Sequence, residues 1–228
     1  MDRLEVSTAN LADACMRADV PVRCSRDSMR SVLPGSRIAG RALPARHAGS
    51  VDVFLEALYR AKVGDVLVVD NAGRVDEACI GDLVVLEAQA AGLAGVVVWG
   101  LHRDTADITT IGLPVFSAGS CPAGPVSPRP RESDALDCAR VDGWTVTRDD
   151  MIFADEDGVI AVPSSRADEV LSIARAIRDT ESGQANRIKA GVSLRSQLRF
   201  DEYLASREQN PALSFRDHLR TVGGAIEE

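Results

Sequence analysis

The sequence is short of several things, and each shortage removes a class of function. Lysine is nearly missing, with 24 arginines against only Lys62 and Lys189, so chemistry that needs an amine nucleophile has two candidates at most. No run approaches the roughly 20 apolar residues that span a bilayer, and no membrane partner is expected. The start, MDRLEVSTANLADA, carries no apolar signal segment, which places the chain in the cytoplasm as an expectation. The five cysteines, Cys15, Cys24, Cys79, Cys121 and Cys138, include no C-x-x-C pair, so neither a disulfide framework nor a zinc-thiolate site is indicated. The three histidines, His47, His102 and His218, form no H-x-x-x-H face, and any metal should be a hard, oxygen-liking cation. Positive charge is outweighed: the net charge of −8 opposes a phosphate-tracking surface, and nucleic acid is not an expected partner.

What is present reads as one α/β domain over residues 1–195, followed by a polar C-terminal extension over 196–228. Residues 65–70 (DVLVVD) are β-branched and apolar, as in a strand buried on both faces. The run from Gly81 to Leu93 has helix formers, a glycine start and Gly92 as its stop. GVVVWG at 95–100 is a second buried strand, so the three pieces form a strand–helix–strand unit with parallel strands. A short helix near 105–110 and a strand at 113–117 follow. Residues 117–135, rich in Gly, Ser and Pro, form a loop long enough to need a reason, either a functional wall or an oligomer contact. Three strands at 143–147, 151–154 and 158–162 surround the Asp155–Gly158 turn, which has the D-G mark of a tight hairpin. A long helix from about Arg166 to Lys189 places Val170, Ile173, Ala174 and Ile177 on one stripe.

Two pieces of this pattern can meet as a site. Asp82 lies in the first turn of the helix that follows Gly81, where backbone amides attract anions. Arg103 and Asp104 come just past the strand at 95–98, the edge where open α/β sheets collect ligands. A 2-oxo acid suits that combination. Breaking the bond beyond C3, or losing a β-carboxylate, leaves a pyruvate enolate whose negative oxygen must be stabilised in place. A divalent cation held by Asp104 would act on it as a Lewis acid, and the fork of Arg103 would donate to the same oxygens. Lys62 precedes a turn and Lys189 sits late in a long helix, so a Schiff-base route is disfavoured.

Asp82, Arg103 and Asp104 form D-x20-R-D, set between GDLV at 81–84 and the strand GVVVWG, and Asp107 extends it to R-D-x-x-D. In these residues the chain resembles the RraA-like / 4-hydroxy-4-methyl-2-oxoglutarate aldolase family, whose members include class II pyruvate aldolases with oxaloacetate decarboxylase activity. The resemblance extends from Ser7-Thr8 and Asp13-Ala14 through Gly64-Asp65 and Asp155-Gly158 to Glu181 and Gly191. It implies a three-layer α/β/α sandwich of the swivelling type, assembled as homotrimers or homohexamers, with Mg2+ or Mn2+ in a cleft between subunits. It also implies Asp104 as the metal carboxylate, Arg103 and Asp82 as catalytic residues, and Gly81, Asp82, Leu83, Val84 and Arg103 as the substrate cradle. Asp82 and Glu181, the latter from its own or a neighbouring subunit, would hold metal-bound waters.

Plainer readings stand beside these. Asp104 could cap the short helix that it precedes, Arg103 could be a surface ion-pairing residue, and Asp82 could simply complement a helix dipole. Glu181 could be a solvated helix residue. His102 could serve as a general base or pack at the pocket rim, and Cys121 reads as only a small side chain. His102 and the sequence around 148–150 depart from the family pattern. Some relatives are regulators that bind an RNA-degrading enzyme, and a non-catalytic role of that kind is the alternative to the lyase reading. An intact D-x20-R-D favours the lyase.

Overall fold

The computed structural model describes residues 5–25 and 29–222. Residues 223–228 of the C-terminal extension lie outside the described residues. The chain runs α1 (Thr8–Arg17), β1 (Arg23–Cys24), β2 (Arg30–Ser31), β3 (Ile38–Arg46), α2 (Asp52–Tyr59), β4 (Val66–Asp70), β5 (Ala78–Ile80) and α3 (Asp82–Ala90). It continues through β6 (Gly95–Trp99), β7 (Leu101–His102), α4 (Thr105–Ile111), β8 (Val115–Ser117), β9 (Cys138–Val141), β10 (Trp144–Thr147), β11 (Asp150–Asp155) and β12 (Gly158–Pro163). Helices α5 (Ala167–Lys189), α6 (Leu194–Gln197), α7 (Phe200–Gln209) and α8 (Phe215–Val222) complete it.

Eight strands form one sheet in the order β1-β12-β11-β3-β4-β6-β8-β2. Its centre, β3-β4-β6-β8, is parallel, whereas β11 joins β3 antiparallel and β12 in turn joins β11 antiparallel. Side-chain alternation makes the layering explicit. Leu67 and Val69 of β4, with Val96 and Val98 of β6, pack under α2, α3 and α4. Phe153, Ile160 and Val162 of β11 and β12 pack under α1 and α5. The intervening residues Val66, Val68, Val97, Ile152 and Ala161 share one core with the β9–β10 hairpin. The fold is therefore an α/β sandwich, with a single curled sheet between two groups of helices. Truncating any of these buried Leu or Phe side chains to Ala would cost about 2–5 kcal/mol.

The parallel half follows the expected strand–helix–strand plan, because β4 is buried along its whole length and Gly92, at φ +74°, stops α3 where a side chain would be strained. The hairpin at Asp155–Gly158 is also present. Along α5 the stripe of Val170, Ala174 and Ile177 is buried, and Ile173 packs at its margin. Elements that were not anticipated include the nine-residue β3 at the centre of the sheet and the short parallel pair β5–β7, which forms a separate two-stranded sheet. The extension carries two helices whose Phe200, Tyr203, Phe215 and His218 rings cluster at 5.0–5.9 Å between centroids. No helix among the described residues is long and apolar enough to cross a membrane.

Candidate functional site

The β5–β7 pair builds the site. It delivers Gly81 to the start of α3 and Arg103 to the start of α4, and it locks them together because the Arg103 amide donates to Ile80 O at 2.9 Å. A cavity of about 310 Å3 opens there, lined by His47, Gly81, Asp82, Leu83, Val84 and Arg103 together with Cys79 and Pro125. All five residues expected to cradle a substrate thus share one cavity, and Asp104 borders it. Cys79 is no nucleophile at neutral pH, since burial pushes its thiol well above the ordinary range.

Asp104 occupies the N-cap position of α4, yet its side chain makes no capping bond. Its backbone is left-handed, at φ +59° and ψ +42°, a conformation that Asp tolerates better than most residues but that still stores strain. The carboxylate turns back across the cleft instead, where Oδ2 lies 3.4 Å from the Asp82 amide and 3.3 Å from Arg103 Nε. Both contacts are long for charge-assisted hydrogen bonds, and a third of the side chain is exposed. Gly81 makes this possible, because a Cβ there would collide with Asp104 Oδ2. The long loop supplies the other wall: Ala123 O accepts from the Ala78 amide at 2.8 Å, and a Cβ on Gly124 would sit 2.8 Å from an Arg103 Nη. At Gly124 and Pro125 the loop thus borders the cavity.

Other candidates fall elsewhere. His102 is buried with both ring nitrogens occupied, Nδ1 with Ser117 Oγ at 2.7 Å and Nε2 with Thr105 Oγ1 at 3.0 Å. It lines a separate depression with Arg30 and Ser120 and is not among the residues lining the cavity of Arg103. Glu181 lies on α5, where its Oε2 accepts from Asn10 Nδ2 at 2.9 Å, and it is not among the residues lining the cavity of its own chain. Lys62 and Lys189 are exposed and absent from that cavity. Among the described residues no three Asp, Glu, His or Cys side chains cluster as a ready metal cage.

His47 was not singled out by its sequence context, and the structure places it in the cleft. Its ring stacks on Phe54 (5.3 Å, 12°), and Nδ1 lies 2.9 Å from Asn71 Oδ1. Burial pushes its pKa below the ordinary histidine value, more than the Asn71 hydrogen bond and the nearby Glu77 raise it. A larger adjoining cavity of about 570 Å3 shares His47 and is lined by Arg46, Arg74, Arg129 and Arg140. Three of those arginines already pair with acids: Arg46 with Asp70, Glu132 and Asp134, Arg74 with Asp76 and Glu77, and Arg129 with Glu77. The smaller cavity has the less committed groups and is the better chemical site.

Known proteins resemble the chain over much of its length. The family model described as RraA-like, Aldolase/RraA, matches residues 8–161. A protein of Aromatoleum aromaticum, provisionally named a 4-hydroxy-4-methyl-2-oxoglutarate aldolase, is 32% identical over 71% of this chain and 99% of its own length. Protein DlpA of Legionella pneumophila is 35% identical over 75% of this chain, which spans only 28% of that longer protein. Among solved structures, an uncharacterized protein from Pseudomonas syringae superimposes with a TM-score of 0.73 at 27% identity, covering 83% of this chain and 91% of that one. Streptomyces coelicolor RraAS2, titled an unusual member of the RNase ES inhibitor RraA protein family, gives 0.68 at 26% identity, covering 81% and 92%. The family model covers more than half of the chain and the sequence relatives agree with it, so the chain belongs to the RraA-like family.

Proposed function

We propose that the protein is a divalent-metal-dependent carbon–carbon lyase that cleaves 4-hydroxy-2-oxo acids to pyruvate, substrates of the 4-hydroxy-4-methyl-2-oxoglutarate kind, and decarboxylates oxaloacetate through the same enolate. The observation that carries this reading is the juxtaposition of Arg103, Asp104 and the first turn of α3 at one cavity. The provisional aldolase name of the Aromatoleum relative supports a lyase acting on a small molecule.

The donor set fits Mg2+ or Mn2+. Asp104 offers one carboxylate with only long contacts, beside a glycine that leaves room, and Mg2+ commonly takes one or two carboxylates and fills its shell with water and substrate oxygens. When bound, the ion supplies Lewis-acid stabilisation of charge on the substrate's C2 oxygen. The chain's residues do the rest. The first amides of α3 lack helical acceptors and point their partial positive charge at a carboxylate. Arg103, held between Gly124 and Gly81, directs its planar fork at the same oxygens, where charge develops as the bond breaks. Asp82 stands at the helix start to orient water.

The reading includes assembly as a homotrimer or homohexamer. Val51 and Leu83 line the cavity and are exposed, as are Leu55 and Tyr59 farther along α2, an apolar surface that a second copy would cover. Glu181 would enter the site from that copy. A lactate-dehydrogenase-coupled pyruvate assay over 2-oxo acids, with Mg2+ and after EDTA, tests the chemistry. Pyruvate release unaffected by EDTA, or a borohydride-trapped adduct on Lys62 or Lys189, would overturn the metal route. A fully active monomer in light scattering would overturn the shared site.

A further inference from the structure

The proposed reaction needs a group that takes a proton from the substrate's C4 hydroxyl, and nothing assigned so far does that. Asp104 is reserved for a cation, Arg103 stays protonated, and His102 has both nitrogens occupied in another depression. The cavity that carries Arg103 and the start of α3 also carries His47. A cavity of about 310 Å3 is at the small end of ligand sites, so a 2-oxo diacid anchored at Arg103 would fill much of it, with His47 in the wall.

We propose that His47 is the general base and acid of this cleft. The proposal deepens the lyase reading and rests on it. Three contacts prepare the imidazole: its backbone amide donates to Asp70 O at 2.8 Å, Phe54 fixes the ring plane, and Asn71 Oδ1 sits 2.9 Å from Nδ1. An amide oxygen at Nδ1 selects the tautomer with the proton there, which leaves the Nε2 lone pair free to accept. The ring's described polar contacts run through Nδ1, to Asn71 Oδ1 at 2.9 Å and Glu77 Oε1 at 4.0 Å, and its side chain is 1% exposed. Asn71 is held in turn, since Arg129 Nη2 lies 3.5 Å from its Oδ1 and 3.3 Å from buried Glu77, which Arg74 also engages at 3.2 Å.

In the cleavage step, Nε2 takes the C4 hydroxyl proton and the C4–O electrons form a carbonyl. The C3–C4 bonding pair then becomes the enolate double bond, with the charge on the C2 oxygen beside Arg103. The imidazolium returns the same proton to C3, giving pyruvate and neutral His47. No oxidant or co-reactant is required. The charged and titratable groups around the ring are Glu77 and Arg74 from the β4–β5 connection, Asp52 on α2, Arg129 of the long loop, and Arg103 and Asp82 across the cavity. Their balance, with burial, keeps the ring neutral near pH 7.

Oxaloacetate separates this assignment from the reading beneath it, because loss of CO2 yields the enolate without a base. His47→Gln should lower kcat for cleavage of a 4-hydroxy-2-oxo diacid by about 10²–10⁴, and should lower oxaloacetate decarboxylation by less than about tenfold, which also reports a folded site. Asn71→Asp should move the acid limb of the cleavage pH profile upward by about one unit, a shift that a merely structural contact would not produce. Nitrogen-15 spectra of the wild type should show Nδ1 protonated and Nε2 bare. Equal loss of both activities in His47→Gln, no loss of either, or a proton on Nε2 would overturn the assignment while leaving the lyase reading intact. Absence of both activities in the wild type would instead sink the lyase reading, and His47's role with it.

Discussion

Two aspartates at two helix N-termini show how the same residue type is put to different ends. Asp155, at the tip of the β11–β12 hairpin, is buried and accepts from the Thr8 amide at 2.8 Å, the Thr8 hydroxyl at 2.6 Å and the Asp157 amide at 3.0 Å. Those bonds join α1 to the antiparallel half of the sheet, and they leave little capacity on the carboxylate. Asp104, at the opening of α3, makes only two long contacts and stays a third exposed. One carboxylate is consumed in holding the fold together, and the other is left with spare acceptor capacity.

The contrast breaks most severely if Asp104 is dispensable. Asp104→Ala should abolish Mg2+ binding by calorimetry and reduce pyruvate formation to background, while stability falls by only about 1–2 kcal/mol, the strain of alanine in a left-handed backbone, because no cap bond is lost. Asp155→Ala should do the reverse, costing about 3 kcal/mol in denaturant unfolding through lost charge-assisted hydrogen bonds, with normal turnover per folded molecule. Next in size, Arg103→Lys should bind Mg2+ normally and lose about 10²–10³ in kcat, since a point charge cannot replace the fork. A smaller effect is expected from Gly124→Val, whose added carbons displace the Arg103 guanidinium; roughly 10–10² in kcat/KM should go, with metal affinity kept.

The smallest effect concerns acidity. Burial lowers the pKa of both His47 and His102, so the folded chain binds fewer protons there than the unfolded one. Their stabilisation is complete above the ordinary histidine pKa near 6.5 and declines as pH falls from that value toward the lowered ones. Urea midpoints should therefore drop between about pH 6.5 and 5, and His102→Gln should flatten the slope. A slope unchanged by the substitution would remove His102 from the account.

The sequence exposes this division unevenly. The β4–α3–β6 unit is legible because its strands are unbroken β-branched runs and Gly92 ends the helix between them. Strand β3 is not, since Gly40, Arg41 and Pro44 interrupt its apolar pattern although most of the strand is buried. Strands β5 and β7 have three and two residues, too few for any periodicity, yet they align Gly81 with Arg103. The D-x20-R-D spacing finds three members of the site because each follows directly from a strand or helix end. His47 escapes it, for its setting depends on Asn71, which is 24 residues away. Glu181 illustrates the opposite limit, as its expected role needs a second copy and a single chain shows only its bond to Asn10.

The left-handed backbone at Asp104 has a consequence for descent. Only glycine, asparagine and aspartate sit readily in that conformation, and the side chain contributes no bond to its own helix. A lineage could therefore discard the carboxylate by Asp104→Gly or Asp104→Asn at almost no cost to folding. Such a step would silence the chemistry while preserving every outer surface, giving natural selection an inert but intact scaffold on which a binding role could be built.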